Sequence, residues 1–224
     1  MSLMDYERPS LTTDIVLMRI NDKVSTNNRR NNQKTLQVLL IKRDIELQKG
    51  KWSLPGGFVD IDEEIDSNVK RKLKEKTGVS GNFYMEQLYT WGGIERDERG
   101  RVISVSYLGL VNDQTYVNKG GSSEQMWVNV YEAMNMDLAF DHNKIISYAM
   151  QRIQNKAEYT DILLNLMPEE FTIKDCQIVY EVALNKQMDN FKRRVGKYFV
   201  STNKTTEGKQ FRPAELFKWN KMEV

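Results

Sequence analysis

Along its first two thirds the chain alternates between short apolar runs and polar breaks, and after residue 141 it changes to helical spacing. Residues 13 to 20 (Thr-Asp-Ile-Val-Leu-Met-Arg-Ile) and Leu36 to Lys42 are apolar and partly β-branched, the pattern of buried strands. Residues 22 to 34 between them are polar, with Asn27, Asn28, Asn31 and Asn32, and read as a long exposed loop. Trp52 to Val59 is broken by Pro55-Gly56-Gly57, which ends a strand and turns the chain toward a helix from Asp66 to Lys76, stopped by Gly78. Further strands are predicted at Phe83 to Tyr89, Val102 to Val111 and Met126 to Tyr131. Strands in this order with one helix among them imply an α/β (α+β) sandwich.

In the second part, Ile145, Ile146, Ala149, Met150 and Ile153 recur at helical spacing over residues 143 to 157. The domain boundary is placed at the start of this helix, giving domains 1–141 and 142–224. Thr172 and Asp175 form a capping box for a helix reaching Leu184, with Ile178, Val179, Val182 and Ala183 on its buried side. Asp189 is the expected N-cap of a further helix to Phe199, with Phe191, Val195 and Phe199 as its core stripe. Residues 200 to 219 read as a hairpin with a polar tip around Gly208. Three helices followed by a hairpin is the order of a winged helix-turn-helix.

Charge adds a direction to this picture. The net charge of the 224 residues is +2, yet residues 190 to 212 alone carry seven basic residues and one acid, Glu207. That local +6 leaves about −4 for the rest of the chain and points to a polyanionic partner. Cys176 is the only cysteine and His142 the only histidine, so an internal disulfide, a Ser-His-Asp triad and a multi-histidine metal site are all excluded. Cys176 sits in an apolar helical pattern and reads as a core residue. One cysteine fits a reducing, cytoplasmic compartment. No run reaches the ~18 apolar residues of a membrane span, so no membrane partner is expected.

The candidate chemistry lies between Gly57 and Val79. Gly57, Glu63, Arg71, Glu75 and Gly78 follow one another at the spacing G-x5-E-x7-R-x3-E-x2-G. Positions 72, 75 and 76 share one helix face. Lys72, Glu75 and Lys76 there carry about +1 where three carboxylates would carry about −3, and an ammonium cannot ligate Mg²⁺. The run resembles the Nudix box, whose pattern is G-x5-E-x7-R-E-U-x-E-E-x-G-U with U aliphatic. By that resemblance Lys72 and Lys76 replace two of the three magnesium-binding glutamates. The box is therefore expected to be vestigial, with no catalytic residue, no metal and no required cofactor.

In a winged helix the second helix of the pair enters the major groove and the hairpin meets the backbone. With Phe191, Val195 and Phe199 facing inward, Asn190, Lys192, Arg193 and Lys197 face outward as candidate DNA contacts. Lys204, Lys209 and Arg212 fall where a wing meets phosphates. A solvated basic helix on a dimerisation module is the plainer reading of the same residues.

A more specific resemblance follows. Arg96-Asp97-Glu98-Arg99-Gly100-Arg101-Val102-Ile103-Ser104-Val105-Ser106-Tyr107 is similar to the R-D-P-R-G-R-V-V-S-V-A-Y run of the NrtR family of Nudix-related transcriptional regulators and of ADP-ribose-handling Nudix enzymes. Phe140-Asp141-His142 matches that family's F-D-H junction. Phe171-Thr172 through Tyr180-Glu181, Asn190 to Arg194, and Arg212-Pro213-Ala214 resemble its winged-helix signature. Together they cover most of residues 13 to 219. Glu98, where proline is usual, and the two lysines are the departures. The resemblance implies a homodimeric repressor on a palindromic operator in double-stranded DNA, whose degenerate Nudix domain senses ADP-ribose or a related nucleotide or sugar. The Gly56-Gly57 turn, read as lying at a helix N-terminus, suits a pyrophosphate. Lys72 and Lys76 supply positive charge, Arg43, Arg96 and Arg99 are candidate phosphate or sugar contacts, and Trp52 or Trp91 is either core or a stacking surface for a base. His142 is expected to fix the interdomain junction. Two alternatives stay open: an active Mg²⁺-dependent hydrolase using Glu63, Glu64 and Glu75 with Glu124 as base, and a repressor whose effector is a pentose.

Overall fold

The computed structural model describes residues 7–23, 33–112, 114–207 and 213–220. Its centre is a mixed sheet. The strands β1 (Ser10–Lys23) and β7 (Val102–Val111) run parallel, paired from Ser10 against Val102 to Arg19 against Val111. β2 (Gln33–Lys42), β4 (Gly56–Phe58) and β6 (Tyr84–Trp91) are antiparallel to this pair, and β3 (Trp52–Ser53) and β9 (Gln125–Asn129) flank β2. A parallel pair is covered on both faces, which explains why β7 is buried almost throughout, Ser104 and Ser106 included.

The period of two sorts these strands onto two cores. Ile15 and Leu17 of β1 join Leu39, Val105 and Tyr107 beneath α1 (Ile65–Thr77), whose Val69 and Leu73 face them. Val16 and Met18 join Val38, Leu40, Leu108 and Leu110 in the other core, beneath α3 (His142–Lys156). This second core is continuous with the C-terminal module: the cluster runs on through Leu163, Leu164, Val179, Tyr180 and Phe191 to Phe217.

α1 ends as the sequence predicts. Gly78 is left-handed at φ 72° and its N–H donates to Lys74 O at 2.8 Å. Two short strands escaped the pattern: β5 (Val79–Gly81), which follows at once, and β8 (Tyr116–Asn118), which pairs with it. The 22–34 loop is shorter than expected, because Asp22 pairs with Lys34 and Lys23 with Gln33; residues 24 to 32 lie outside the described residues. The predicted strand Met126 to Tyr131 ends at Asn129, whose side chain accepts from Tyr131 N–H at 2.9 Å and starts a one-turn helix, α2 (Val130–Ala133).

After α3 and a 3-10 turn (Ile162–Leu166) comes a winged helix. It comprises β10 (Glu170–Phe171), α4 (Ile173–Leu184), α5 (Phe191–Val195), β11 (Phe199–Thr205) and β12 (Glu215–Trp219), with β12 between the other two strands. Thr172 caps α4, accepting from Asp175 N–H at 3.1 Å while its hydroxyl donates to the Asp175 carboxylate at 2.7 Å. Cys176, Val179, Tyr180 and Ala183 form its buried side, and the Cys176 thiol is pushed upward by burial. The sandwich followed by a winged helix is the fold the sequence implies.

Two details of the winged helix differ. The N-cap of α5 is Asn190 in the left-handed region at φ 53°, not Asp189. The helix also stops at Val195, a 3-10 turn covers Gly196–Tyr198, and Phe199 belongs to β11. Phe199 keeps its place against Phe171, Phe191 and Phe217, but reaches it from the sheet.

Candidate functional site

β4, the first half of β1, the end of β2, α1 and the loop after β6 enclose a cavity of about 270 Å³. Its walls include Arg43, Gly56, Gly57, Lys72, Lys76, Arg96 and Arg99, seven of the eight residues expected to contact a ligand. Trp52 is the exception. Its ring packs against the apolar core with Lys42 Nζ 5.8 Å from its centroid, and it does not line the cavity. Trp91 donates to Ser106 Oγ at 2.9 Å in an aromatic group with Tyr89 and Tyr148, away from the cavity.

The glycines admit close approaches. A Cβ on Gly56 would lie 2.0 Å from Thr13 O, so only glycine lets β4 pair with β1 there. A Cβ on Gly57 would lie 3.0 Å from Lys72 Cε, so the lysine stem crosses the loop where a side chain is missing. This turn does not sit at a helix N-terminus. α1 begins at Ile65, and Glu63, Glu64 and Asp66 surround that end, which repel rather than attract a phosphate.

The acids of the Nudix-like stretch are engaged internally. Arg71 donates Nε to Glu63 Oε1 and Nη2 to Glu63 Oε2, both at 2.6 Å, and also reaches Asp60 at 2.9 Å and Glu75 at 3.3 Å. Hydrogen bonds from Arg71 and then Asn68 hold the Glu63 carboxyl down to about 2. Asn68, fully buried, also accepts from Thr13 Oγ1 at 2.6 Å and donates to Phe58 O at 2.8 Å, locking α1 to β1 and β4. Lys72 Nζ lies 3.6 Å from Glu75 Oε2, to which Arg71 Nη1 also donates at 3.4 Å. Glu124, the conceivable base, pairs with Lys42 at 3.1 Å. Neither Glu63 nor Glu75 lines the cavity, and among the described residues no cluster of three metal-ligating side chains exists. This donor set does not fit Mg²⁺, which needs carboxylate oxygens where two ammonium groups stand.

On the opposite wall a charged network joins the sandwich to α3. Buried Asp14 accepts from Ser104 Oγ at 2.6 Å and faces Arg96 Nη2 and His142 Nε2, both at 3.4 Å. Leu54 N–H donates to His142 Nδ1 at 2.9 Å, which leaves Nε2 as the protonated nitrogen facing Asp14. Burial opposes ionisation of Asp14, but His142, Ser104 and Arg96 outweigh it and hold its carboxyl down to about 2. Arg96 also binds Asp141 at 2.8 and 3.2 Å, and its side chain is 6% exposed. It is thus a structural cross-link between the cavity wall and the start of α3, with two carboxylates already satisfied, rather than a free phosphate contact. His142 fixes the same junction, as the sequence implies.

Arg99 is held by Asp97 through bonds of 2.9 and 2.6 Å. Its guanidinium lies 5.0 Å from the Phe58 ring and 5.9 Å from Phe140. Arg43 stacks on Phe140 at 4.6 Å and donates only to Leu47 O, at 3.1 and 3.2 Å. Burial, then the charge of Arg99, lowers the pKa of Arg43 from its usual value. Phe140 holds its place with a left-handed backbone at φ 53°, fixed by its N–H donating to Gln48 Oε1 at 2.9 Å. Asp14, Asn68 and Phe140 carry no local signal in the sequence, because Ser104, Thr13 and Gln48, which fix them, lie 90, 55 and 92 positions away; Asp97 binds Arg99 only two positions on.

In the winged helix, Asn190, Lys192, Arg193, Arg194 and Lys197 are exposed while Phe191 and Val195 are buried, the division the spacing predicts. Lys197 Nζ rests 4.8 Å from the Tyr198 ring. Lys204, 64% exposed, pairs with Glu170 at 2.9 Å. Lys209 and Arg212 lie outside the described residues. No helix among the described residues is long and apolar enough to cross a membrane.

Comparison with known proteins agrees with this architecture. Residues 24–149 match the NUDIX domain family and residues 163–219 the NrtR DNA-binding winged helix domain. The chain is 35% identical over 223 residues to the ADPR responsive transcriptional repressor NtrR of Acinetobacter baylyi, covering 96% of this chain and 84% of that one. Among solved structures it is similar to Shewanella oneidensis NrtR complexed with a 27mer DNA, at 35% identity and a TM-score of 0.78, covering 93% of both chains. It is also similar to the NUDIX domain of Shewanella oneidensis NrtR complexed with ADP ribose, at 35% identity and a TM-score of 0.56, over 68% of this chain and 94% of that one. A sandwich with a box altered by lysines, joined through one core to a basic winged helix, thus places the chain in the NUDIX domain family, among its NrtR-type members.

Proposed function

We propose that this chain is an ADP-ribose-responsive, DNA-binding transcriptional repressor acting in the cytoplasm as a homodimer on a palindromic operator. The observation that carries the reading is the joining of a cation-lined cavity, in which lysines stand at metal-ligand positions, to an exposed basic helix through a shared core. Similarity to an ADPR responsive repressor and to structures holding DNA and ADP ribose supports it. The 1–141 and 142–224 division assigns sensing to the first part and DNA contact to Asn190, Lys192, Arg193, Lys197 and Lys204, together with Lys209 and Arg212, which lie between β11 and β12 in sequence.

Gel shift with the chain's own upstream region, with and without ADP-ribose, tests the proposal. A specific shift that ADP-ribose alters is expected; absence of any specific shift at modest salt overturns it. Calorimetry with ADP-ribose against arabinose separates a nucleotide effector from a pentose. A magnesium-dependent hydrolase finds no support in the donor set, and release of AMP from ADP-ribose, lost in Glu75→Gln, is the result that would restore it.

A further inference from the structure

We infer that the cavity holds a diphosphate without a divalent cation, with Lys72, Lys76 and Arg43 taking over the role of the metal. The inference rests on reading the cavity as the effector site. Three observations carry it. First, of the six cations lining the cavity, Lys42, Arg96 and Arg99 are each matched by a carboxylate, on Glu124, on Asp14 and Asp141, and on Asp97. Arg43 donates only to a backbone carbonyl and stacks on one ring, Phe140; Asp97, Asp14 and Asp44 act on its charge from a distance, but none forms an ion pair with it among the described residues. Lys76 has no acidic partner among the described residues, and Lys72 touches only the 3.6 Å edge of a Glu75 that Arg71 already binds. Such unmatched charge in a partly enclosed space calls for an anion.

Second, the lysines are placed rather than merely present. Lys72 has only 18% of its side chain exposed, and its stem lies against Gly57, where any side chain would displace it. Third, the charges agree. Three carboxylates with one Mg²⁺ leave about −1 on that helix face, whereas Lys72, Glu75 and Lys76 leave about +1 with no ion. The lysine face thus attracts a diphosphate more strongly than the metal-loaded acidic face it resembles, and it repels Mg²⁺. An uncharged pentose would leave all three cations unmatched.

Isothermal titration of the full chain with inorganic pyrophosphate and with ADP-ribose, each in EDTA and in Mg²⁺, tests this. Both probes are expected to bind in EDTA, with Mg²⁺ leaving affinity unchanged or weaker because it competes for the diphosphate. Lys72→Gln and Lys76→Gln are each expected to weaken both probes about tenfold, the scale of one charge-assisted hydrogen bond. Lys70→Gln, on the exposed side of the same helix, should leave affinity intact, and thermal melting should show every variant folded. Binding that requires Mg²⁺, or affinities untouched by the lysine variants, overturns the inference; the metal arm decides it even where a variant fails to fold. If ADP-ribose binds as before in Lys72→Gln and Lys76→Gln, this inference fails and the effector reading stands. If pyrophosphate binds through the lysines but ADP-ribose does not bind, the anion site stands and the effector reading fails.

Discussion

At the scale of single residues, Asp14 is where most of the structure meets. It lies in β1, yet accepts from Ser104 in β7 and faces Arg96 and His142, so the wall of the cavity and the head of α3 converge on one carboxylate. Its folded-state pKa of about 2 lies below the ordinary aspartate value of 3.8. A depressed carboxylate pKa contributes stability that is complete above about pH 5 and is lost as pH falls through 4 toward 2. Lowering the carboxyl from 3.8 to about 2 corresponds to about 2 kcal/mol. In Asp14→Asn, urea unfolding between pH 6 and 2 should therefore show an acid limb shallower by that amount. Glu63 and Asp97 are depressed as well, so part of the limb survives. Lys72 and Lys76 are legible in the sequence because a broken motif marks its own irregular positions, whereas Arg99 stands out only through the 96–107 run and Arg43 lies in no motif. Asp14 and Asn68 are not legible, since each matters through partners 55 to 90 positions away and no local pattern records that.

At the scale of elements, what the chain makes legible depends on length. β1, β2 and β7 are long enough for an apolar run to stand out, and α1 ends on a glycine whose conformation requires it. β5 and β8, of three residues each, carry no readable period. α5 is shorter than its spacing predicts for a definite reason: Phe191, Val195 and Phe199 keep the i, i+4, i+8 spacing, although Phe199 is placed by the sheet after the helix has ended at Val195. The end of α1 supplies a test. A Cβ on Gly78 would meet Gly120 O at 2.3 Å, in addition to the strain of φ 72°. Gly78→Ala should cost about 2 kcal/mol or more in urea denaturation. Gly92→Ala, with only Arg101 Nη2 at 3.8 Å, should stay within about 0.5 kcal/mol.

At the scale of the whole molecule, the +6 charge of residues 190 to 212 belongs to one end of a chain whose remainder is acidic. If α5 meets phosphates, affinity for DNA falls with salt in proportion to the phosphates neutralised. Lys192→Ala and Arg193→Ala should each reduce the slope of log K against log salt by about 0.9, measured by fluorescence anisotropy. Loss confined to one operator sequence with an unchanged slope would instead mark a base contact. The domain order was legible because the spacing changes its period near residue 141. The way the two parts join was not, since neither half of a shared core reveals its partner.

That shared core has a consequence for exchange with solvent. Leu36 and Val38 of the sheet belong to the same apolar cluster as Val179 and Tyr180 of α4, and Asn112 at the end of β7 donates to the carbonyls of Asn165 and Met167. Amides in α4 therefore cannot open to deuterium without disturbing the layer that backs the sheet, and the two regions should exchange as one cooperative unit. ADP-ribose bound beside β4 should slow exchange at Val179 and Tyr180 as well as at the cavity, and mass-spectrometric deuterium uptake by the peptides covering α4 measures this directly. Protection that stops at α3 would mean that the winged helix opens on its own.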